Sequence, residues 1–399
     1  MISEGERNMN AKNIQRRFDI DWLRVLLILT VFFYHTGRFF NGDDWHVNAS
    51  RQSLVLTHVI NFLNPIMMPA IFILSAAAIV FNLGSRSIGR FAWDKVKRLL
   101  IPLVFGIFVL SPSMVYQERL THSEFSGSFW QFLPHYFDGM YAFGGNFAWM
   151  GLHLWYLEVL FIFTFLCLPL FLFLKSRWGA ALVRGLAWFF EKPGAIYLLT
   201  IPIGLSVTFF EDVGPLGMRD MGGNMLTTYL TYFILGFLIF SDERFQRAII
   251  RQRYISLAAG LLLTYAYLYG KYTNAFFLNT DSRLWNVAEP FLAWGWILAI
   301  LGFGMKYLNF RNRFLTYANE AVLPFYILHQ PVILIVGYFI LKLELPIAVQ
   351  YTTIAVISFT TIMAIYEYLV RRTNLLRVLF GMKPLKRERV VDMATAQIA

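Results

Sequence analysis

The sequence predicts an all-α integral membrane protein, with about ten transmembrane helices and both termini cytoplasmic. Three observations support this. Of 399 residues, 57% are apolar and 15% charged, whereas a soluble chain carries about a quarter charged residues. Ten runs are apolar enough to form helices in a bilayer: 22–40, 54–81, 99–117, 152–174, 195–210, 225–240, 255–270, 286–306, 319–341 and 347–369. Basic residues alternate between the connecting segments. With the N-terminus inside, the inner segments hold 27 Lys and Arg and the outer ones six, the asymmetry that sets orientation. The net charge of +11 follows from this topology and gives no argument for nucleic acid as a partner.

In chain order, residues 1–18 read as a polar cytoplasmic tail without a cleavable signal, 19–370 as the membrane domain and 371–399 as a second cytoplasmic tail. The first run, WLRVLLILTVFFYHTGRFF from Trp22, is long enough to cross. Pro65 and Pro69 in the second predict a kinked or tilted helix. The basic segment 85–98, with Phe91, Trp93 and Val96 interspersed, reads as an amphipathic helix on the membrane surface, and 182–190 reads the same way. The outer loop 118–151 is the longest and holds Trp130, His135, Tyr136 and Asp138. Asn319 and Glu320 open the ninth run, where a carboxylate complements the helix dipole. Glu367 has Arg371 four residues on, a spacing for an ion pair. The single cysteine, Cys167, excludes an intrachain disulfide and metal sites built from Cys clusters.

Ionisable residues inside apolar runs are costly and mark function by default. Arg24 and His35 are eleven helical steps apart, three turns plus ~20°, so they share one stripe about 16 Å long. That geometry suits an anion bound near one surface and proton chemistry deeper in, in a chamber common to both groups. Arg24 also fits a snorkelling anchor, and His35 a packing histidine bonded to a neighbouring helix. Asp21 is placed to orient Arg24, or with Asp19 to complement the helix N-terminus.

In HLWYLEVLF, His153 and Glu158 lie five steps apart, ~140° out of phase, and so are not a metal pair. Trp155 and Tyr156 fit an interfacial aromatic belt. Glu158 needs a partner or a water-filled cavity. In PFYILHQPVI, His329 and Gln330 precede Pro331, which frees a backbone carbonyl one turn upstream. A bond between helices and a direct role both suit His329. Lys95, Lys97 and Arg98 read as inner-surface cations contacting anionic lipid, or as the site of an anionic cytoplasmic donor such as a coenzyme A phosphate. No phosphate-binding glycine loop, GxSxG elbow or HExxH motif occurs.

These segments together resemble the acyltransferase type 3 superfamily of integral-membrane acyltransferases, which includes polysaccharide O-acyltransferases and glucan succinyltransferases. Arg24 and His35, with ten residues between them inside FDIDWLR…FYHTG, match that family's first-helix pattern. FILSA at 72–76 is similar to its FxxSG segment, with Ala76 in place of Gly. KVKRLLIP at 95–102 is similar to its basic stretch, with Lys where Arg is common. HLWYLEVLF and PFYILHQPV resemble its later segments, and the similarity spans about residues 18–380. The resemblance implies transfer of an acyl group, acetyl or succinyl, from cytoplasmic acyl-CoA to a hydroxyl of a saccharide or glycan on the far side of a bacterial inner membrane. Acyl-CoA is then a co-substrate and no cofactor is permanently bound. The resemblance implies His35 as the essential histidine, Arg24 as its partner, and Lys95 and Lys97 as donor contacts, with Ser75 in the adjoining segment. Glu158, Trp155, Tyr156 and His329 are the remaining site candidates.

Two other readings fit the same charges. One is a proton-coupled transporter or flippase with Arg24, His35 and Glu158 along its path. It would be favoured by inverted repeats, which the sequence does not display. The other is an inert sensor or assembly partner on the same scaffold.

Overall fold

The computed structural model describes residues 16–83, 87–210, 226–273 and 283–385. Most of the two tails, 1–15 and 386–399, lies outside them. The described residues are helical, with one isolated bridge, Met140 to Phe147, and no strand. We number the principal helices α1 Phe18–Gly37, α2 Leu54–Asn82, α3 Ile88–Thr121, α4 Leu152–Leu166, α5 Leu168–Lys175, α6 Arg177–Phe190, α7 Thr200–Phe210, α8 Leu226–Ser241, α9 Glu243–Thr273, α10 Arg283–Tyr307, α11 Arg313–Ile340, α12 Ile347–Val370 and α13 Asn374–Leu379.

Five of these, α2, α3, α10, α11 and α12, are long and apolar enough to cross a membrane, and α4 with α5 makes a sixth if that pair, bent by 50°, is one span. This is a multi-pass membrane protein. The other apolar runs yield helices with features that weaken a count by length and apolarity. Asp19, Asp21, Arg24 and His35 interrupt α1. The apolar helices at Ala195–Val207 and Leu226–Ser241 are short. The first half of α9 carries Arg244, Arg247, Arg251 and Arg253.

Several boundaries differ from expectation for local reasons. The segment 88–98 is not a separate surface helix. It continues into the third apolar run as one 34-residue helix, with two π turns at Val96–Leu100 and Gly106–Leu110. Such turns shift the register of the faces without breaking the rod. α2 stays helical through Pro65 and Pro69. α11 starts at Arg313, capped by Asn312, whose side chain accepts from Leu315 N at 2.7 Å. Asn319 and Glu320 therefore lie two turns inside it rather than at its dipolar end. α6 buries Gly179, Val183 and Ala187, one stripe at i, i+4, i+8, and exposes Trp178, Leu182 and Trp188, as an interfacial helix does. Asp242 starts α9: its Oδ1 accepts from Arg244 N at 3.0 Å. The hydrogen bond from the Arg244 side chain holds its carboxyl below the usual carboxylate range.

Close packing of α2 on α8 depends on Gly236, where a Cβ would sit 2.6 Å from the Ile73 carbonyl oxygen. Small residues at such crossings let backbones approach. The beginning of the second tail is docked. Arg377 is buried and donates to Glu320 (3.0 Å), to Lys383 O (2.7 Å) and to Arg371 O (3.0 Å), and the Phe380 ring meets Phe105 at 5.2 Å. The Glu367–Arg371 pair forms at 3.0 Å as its spacing predicts.

Candidate functional site

α1 carries Arg24 near its start and His35 near its end. At the start, Asp21 lies 3.5 Å from Arg24 but 2.8 Å from Arg16, so its carboxylate is shared and Arg16 holds the closer contact. Asp19 is taken by Arg17 at 2.6 Å. Lys95 on α3 lies within electrostatic reach of Arg24 and Arg98 and its ammonium sits over the Phe91 ring at 5.3 Å. Lys97 diverges from this group. It is exposed, pairs with Asp94 at 3.3 Å and lies over Trp93 at 6.0 Å. Two residues apart on a helix is ~200° of rotation, so Lys95 and Lys97 cannot both face Arg24.

Between the two ends of α1, Tyr156 and Ser75 meet, hydroxyl to hydroxyl, at 2.5 Å. Ser75 Oγ also donates to the Ile71 carbonyl at 2.8 Å. A hydroxyl has one proton to give, so Tyr156 donates and Ser75 accepts. Trp155 is buried against Tyr229 (5.3 Å) and Phe72 (6.3 Å). Trp155 and Tyr156 therefore belong to the interior and not to a lipid-facing belt. Glu158 is half-buried, and its Oε2 is sealed without a hydrogen-bond partner.

At the far end of α1, three imidazoles gather. His35 and His329 have ring centroids 5.1 Å apart, as do His329 and His153. Their tautomers follow from their neighbours. Pro331 has no N–H, so the carbonyl of Ile327, four residues before it, lacks its helical donor. His153 fills that place: its Nε2 is 3.0 Å from Ile327 O. A carbonyl only accepts, so Nε2 carries the proton and Nδ1 keeps its lone pair. His329 Nδ1 likewise donates to Tyr326 O, leaving Nε2 unprotonated. His153 Nδ1, His329 Nε2 and His35 Nδ1 are sealed from solvent and have no partner. Tyr326 ties the group together, donating its hydroxyl to His153 O at 2.5 Å and packing on Tyr156 at 5.8 Å. Buried polar atoms are mostly satisfied in folded proteins, and three unpartnered nitrogens in one cluster leave hydrogen-bonding capacity open there. Among the described residues no group of three or more His, Cys, Asp or Glu could hold a metal ion.

Beyond His35, Trp45 stacks on its ring at 5.9 Å and leads to His46, which pairs with buried Glu118. Tyr141 donates to the same carboxylate at 2.6 Å. Two surface cavities among the described residues are lined by neither Arg24 nor His35. One, of about 520 Å³, is lined by Arg311, Asn312, Arg313, Thr316, Tyr317, Glu320 and Arg371. The other, of about 410 Å³, lies between the start of α2 and α12, beside Ser53 and Tyr351.

The structure thus brings His35 to His329 and places Lys95 within electrostatic reach of Arg24 and of Arg98. It joins Ser75 to Tyr156, pairs Lys97 with Asp94 at the exposed surface, and leaves Glu158 with a sealed, unpartnered oxygen. His153, His46 and Glu118 were missed as site residues. The sequence signals for His153 were its place at the start of HLWYLEVLF and Pro331, whose freed carbonyl leaves an acceptor for a donor from another helix.

Comparison with known proteins identifies the family. Residues 17–367 match the acyltransferase type 3 family, described as an acyltransferase domain. The chain belongs to that family. Similar proteins include glucans biosynthesis protein C of Escherichia coli K12, 26% identical over 343 residues, covering 83% of this chain and 86% of that one. The same protein from E. coli strain SMS-3-5 matches equally. No solved structure matches. Within this acyltransferase the histidine cluster and the cationic end of α1 lie inside the region matched to the family.

Proposed function

We propose that this acyltransferase moves an acyl group, acetyl or succinyl, from cytoplasmic acyl-CoA to a hydroxyl of a saccharide at the outer side of the bacterial inner membrane. The similarity to proteins named for glucan biosynthesis supports a saccharide acceptor. In this reading the ten apolar runs all span, and both termini lie inside. The donor's diphosphate rests on Arg24, Lys95 and Arg98, with Lys97 at the rim. Its pantetheine arm runs past Ser75 and Tyr156 toward the histidines. His35 removes the proton of the acceptor hydroxyl as its oxygen attacks the thioester carbonyl, the C–S bond breaks, and the proton returns to the leaving thiolate. A transient acyl group on His35 is the other course open to the same ring. His329, with its Nε2 lone pair, and Glu158 act on the acceptor side.

One observation carries this reading: a cluster of imidazoles with unfilled nitrogens at the far end of the helix that carries Arg24 near its start. The test is transfer of labelled acyl groups by purified protein in vesicles without any ion gradient. His35→Ala lowers the rate by about 10²–10⁴-fold, the share a general base supplies, while the protein still inserts and purifies normally. Full activity in that variant ends the role of His35. Transfer that requires a proton gradient favours a transporter instead.

A further inference from the structure

The 520 Å³ cavity is unused by the mechanism above. Three arginines and one glutamate line it, with Asn312, Thr316 and Tyr317. Arg371 is committed in part, to Glu367 at 3.0 Å and Glu320 at 3.8 Å. Among the described residues, Arg311 makes only a 3.5 Å contact with Thr316 Oγ1. Arg311 and Arg313 are exposed, and neither forms an ion pair with a described residue. The lining therefore has an excess of guanidinium groups, whose forked donors match phosphate oxygens.

The cavity's place is informative. Trp22 of α1 donates to Phe310 O at 3.1 Å and stacks on Phe314 at 5.7 Å. Asn319, oriented to donate to Asp21 at 3.3 Å and to accept from Arg16 at 2.9 Å, joins α11 to the start of α1. The docked tail closes the same end of the bundle. A Cβ on Gly381 would sit 3.0 Å from the Arg98 carbonyl oxygen. The cavity thus shares an end of the bundle with Arg24 and Arg98. Along α11, Thr316 and His329 are thirteen residues apart, about 20 Å. A pantetheine arm is comparable to roughly five residues of extended chain, about 17 Å. Coenzyme A bears phosphate at two places, a diphosphate and a ribose phosphate, so a second cationic cavity at the same end of the bundle offers a partner for the second phosphate.

We propose that the cavity of Arg311, Arg313 and Arg371 binds the ribose phosphate of the acyl-CoA donor, while Arg24, Lys95 and Arg98 hold the diphosphate. This rests on the acyl-CoA reading above. The cavity sets a preference for a donor carrying a terminal phosphate monoester over the same donor without it.

The test measures binding of coenzyme A and of dephospho-coenzyme A to the full chain in phosphatidylcholine nanodiscs. The unaltered protein prefers coenzyme A by about tenfold or more, the scale of charge-assisted bonds to one phosphate. Arg311→Gln/Arg313→Gln removes that preference and leaves dephospho-coenzyme A affinity and the thermal unfolding temperature as they were. An undiminished preference in the double variant overturns the proposal, as does no preference in the unaltered protein. If the unaltered protein binds neither compound, the acyl-CoA reading itself fails, and this one with it. A repeat with phosphatidylglycerol in the discs separates the other source of phosphate. If that lipid abolishes coenzyme A binding to the unaltered protein but not to the double variant, the cavity is a lipid headgroup site and the assignment to the donor falls.

Discussion

At the scale of single residues, the histidine cluster shows how the backbone sets side-chain chemistry. Pro331 deletes one amide proton, His153 fills the resulting gap at 3.0 Å, and its imidazole is held in one tautomer beside His329. Replacing Pro331 by Ala returns an amide proton to the Ile327 carbonyl. The expected outcome is an unfolding temperature that holds or rises, since Pro inside a helix costs about 3 kcal/mol. Acyl transfer falls roughly fivefold or more, the worth of one hydrogen bond of about 1 kcal/mol. Unfolding curves and transfer rates on the same preparation check both arms. Arg24→Ala has a different expected signature: the donor concentration for half-maximal rate rises, and the acceptor concentration does not. Donor and acceptor titrations in membranes decide it. Arg24 and His35 were legible because a charged residue in an apolar run stands out without any knowledge of its neighbours. His153 was not, because its partner Ile327 is 174 residues away, and no periodicity within one helix encodes such a contact.

At the scale of elements, apolar runs located the helices well and their ends poorly. Apolarity marks where a helix can meet lipid or core and is silent where polar residues continue the same helix. α3 begins eleven residues before its expected start at 99, with Lys95 and Arg98 on its rod. α9 likewise begins within the basic segment, at Glu243. Glycine contacts depend on how elements cross and are equally invisible from one strand of sequence. Gly236 is such a contact on α8. Gly236→Ala places a methyl group against the Ile73 backbone, and overpacking of this kind costs about 1–3 kcal/mol. A lower unfolding temperature in detergent is the expected result. An unchanged one means α2 and α8 separate without cost.

At the scale of the whole molecule, the balance of Lys and Arg makes a prediction that the helices do not decide. If all ten runs span, a reporter that folds only in the cytoplasm is active when fused at either terminus and inactive when placed in the 118–151 loop. A terminus read outside, or a loop read inside, removes the proposed alternation. The overall class was legible because a bilayer imposes one demand on the entire chain, that every buried amide be satisfied by its own helix. The docked segment after Val370 was hidden, because its charges read as a solvated tail when Glu320 and Phe105 cannot be seen.

That segment has a consequence for how the protein is made. Arg377 and Phe380 leave the ribosome after every apolar run has been delivered to the bilayer. Until then Glu320 waits without Arg377, and the face of Phe105 stays uncovered. Sealing of this end therefore waits for the segment after Val370, and a chain that stops before Arg377 is left open there.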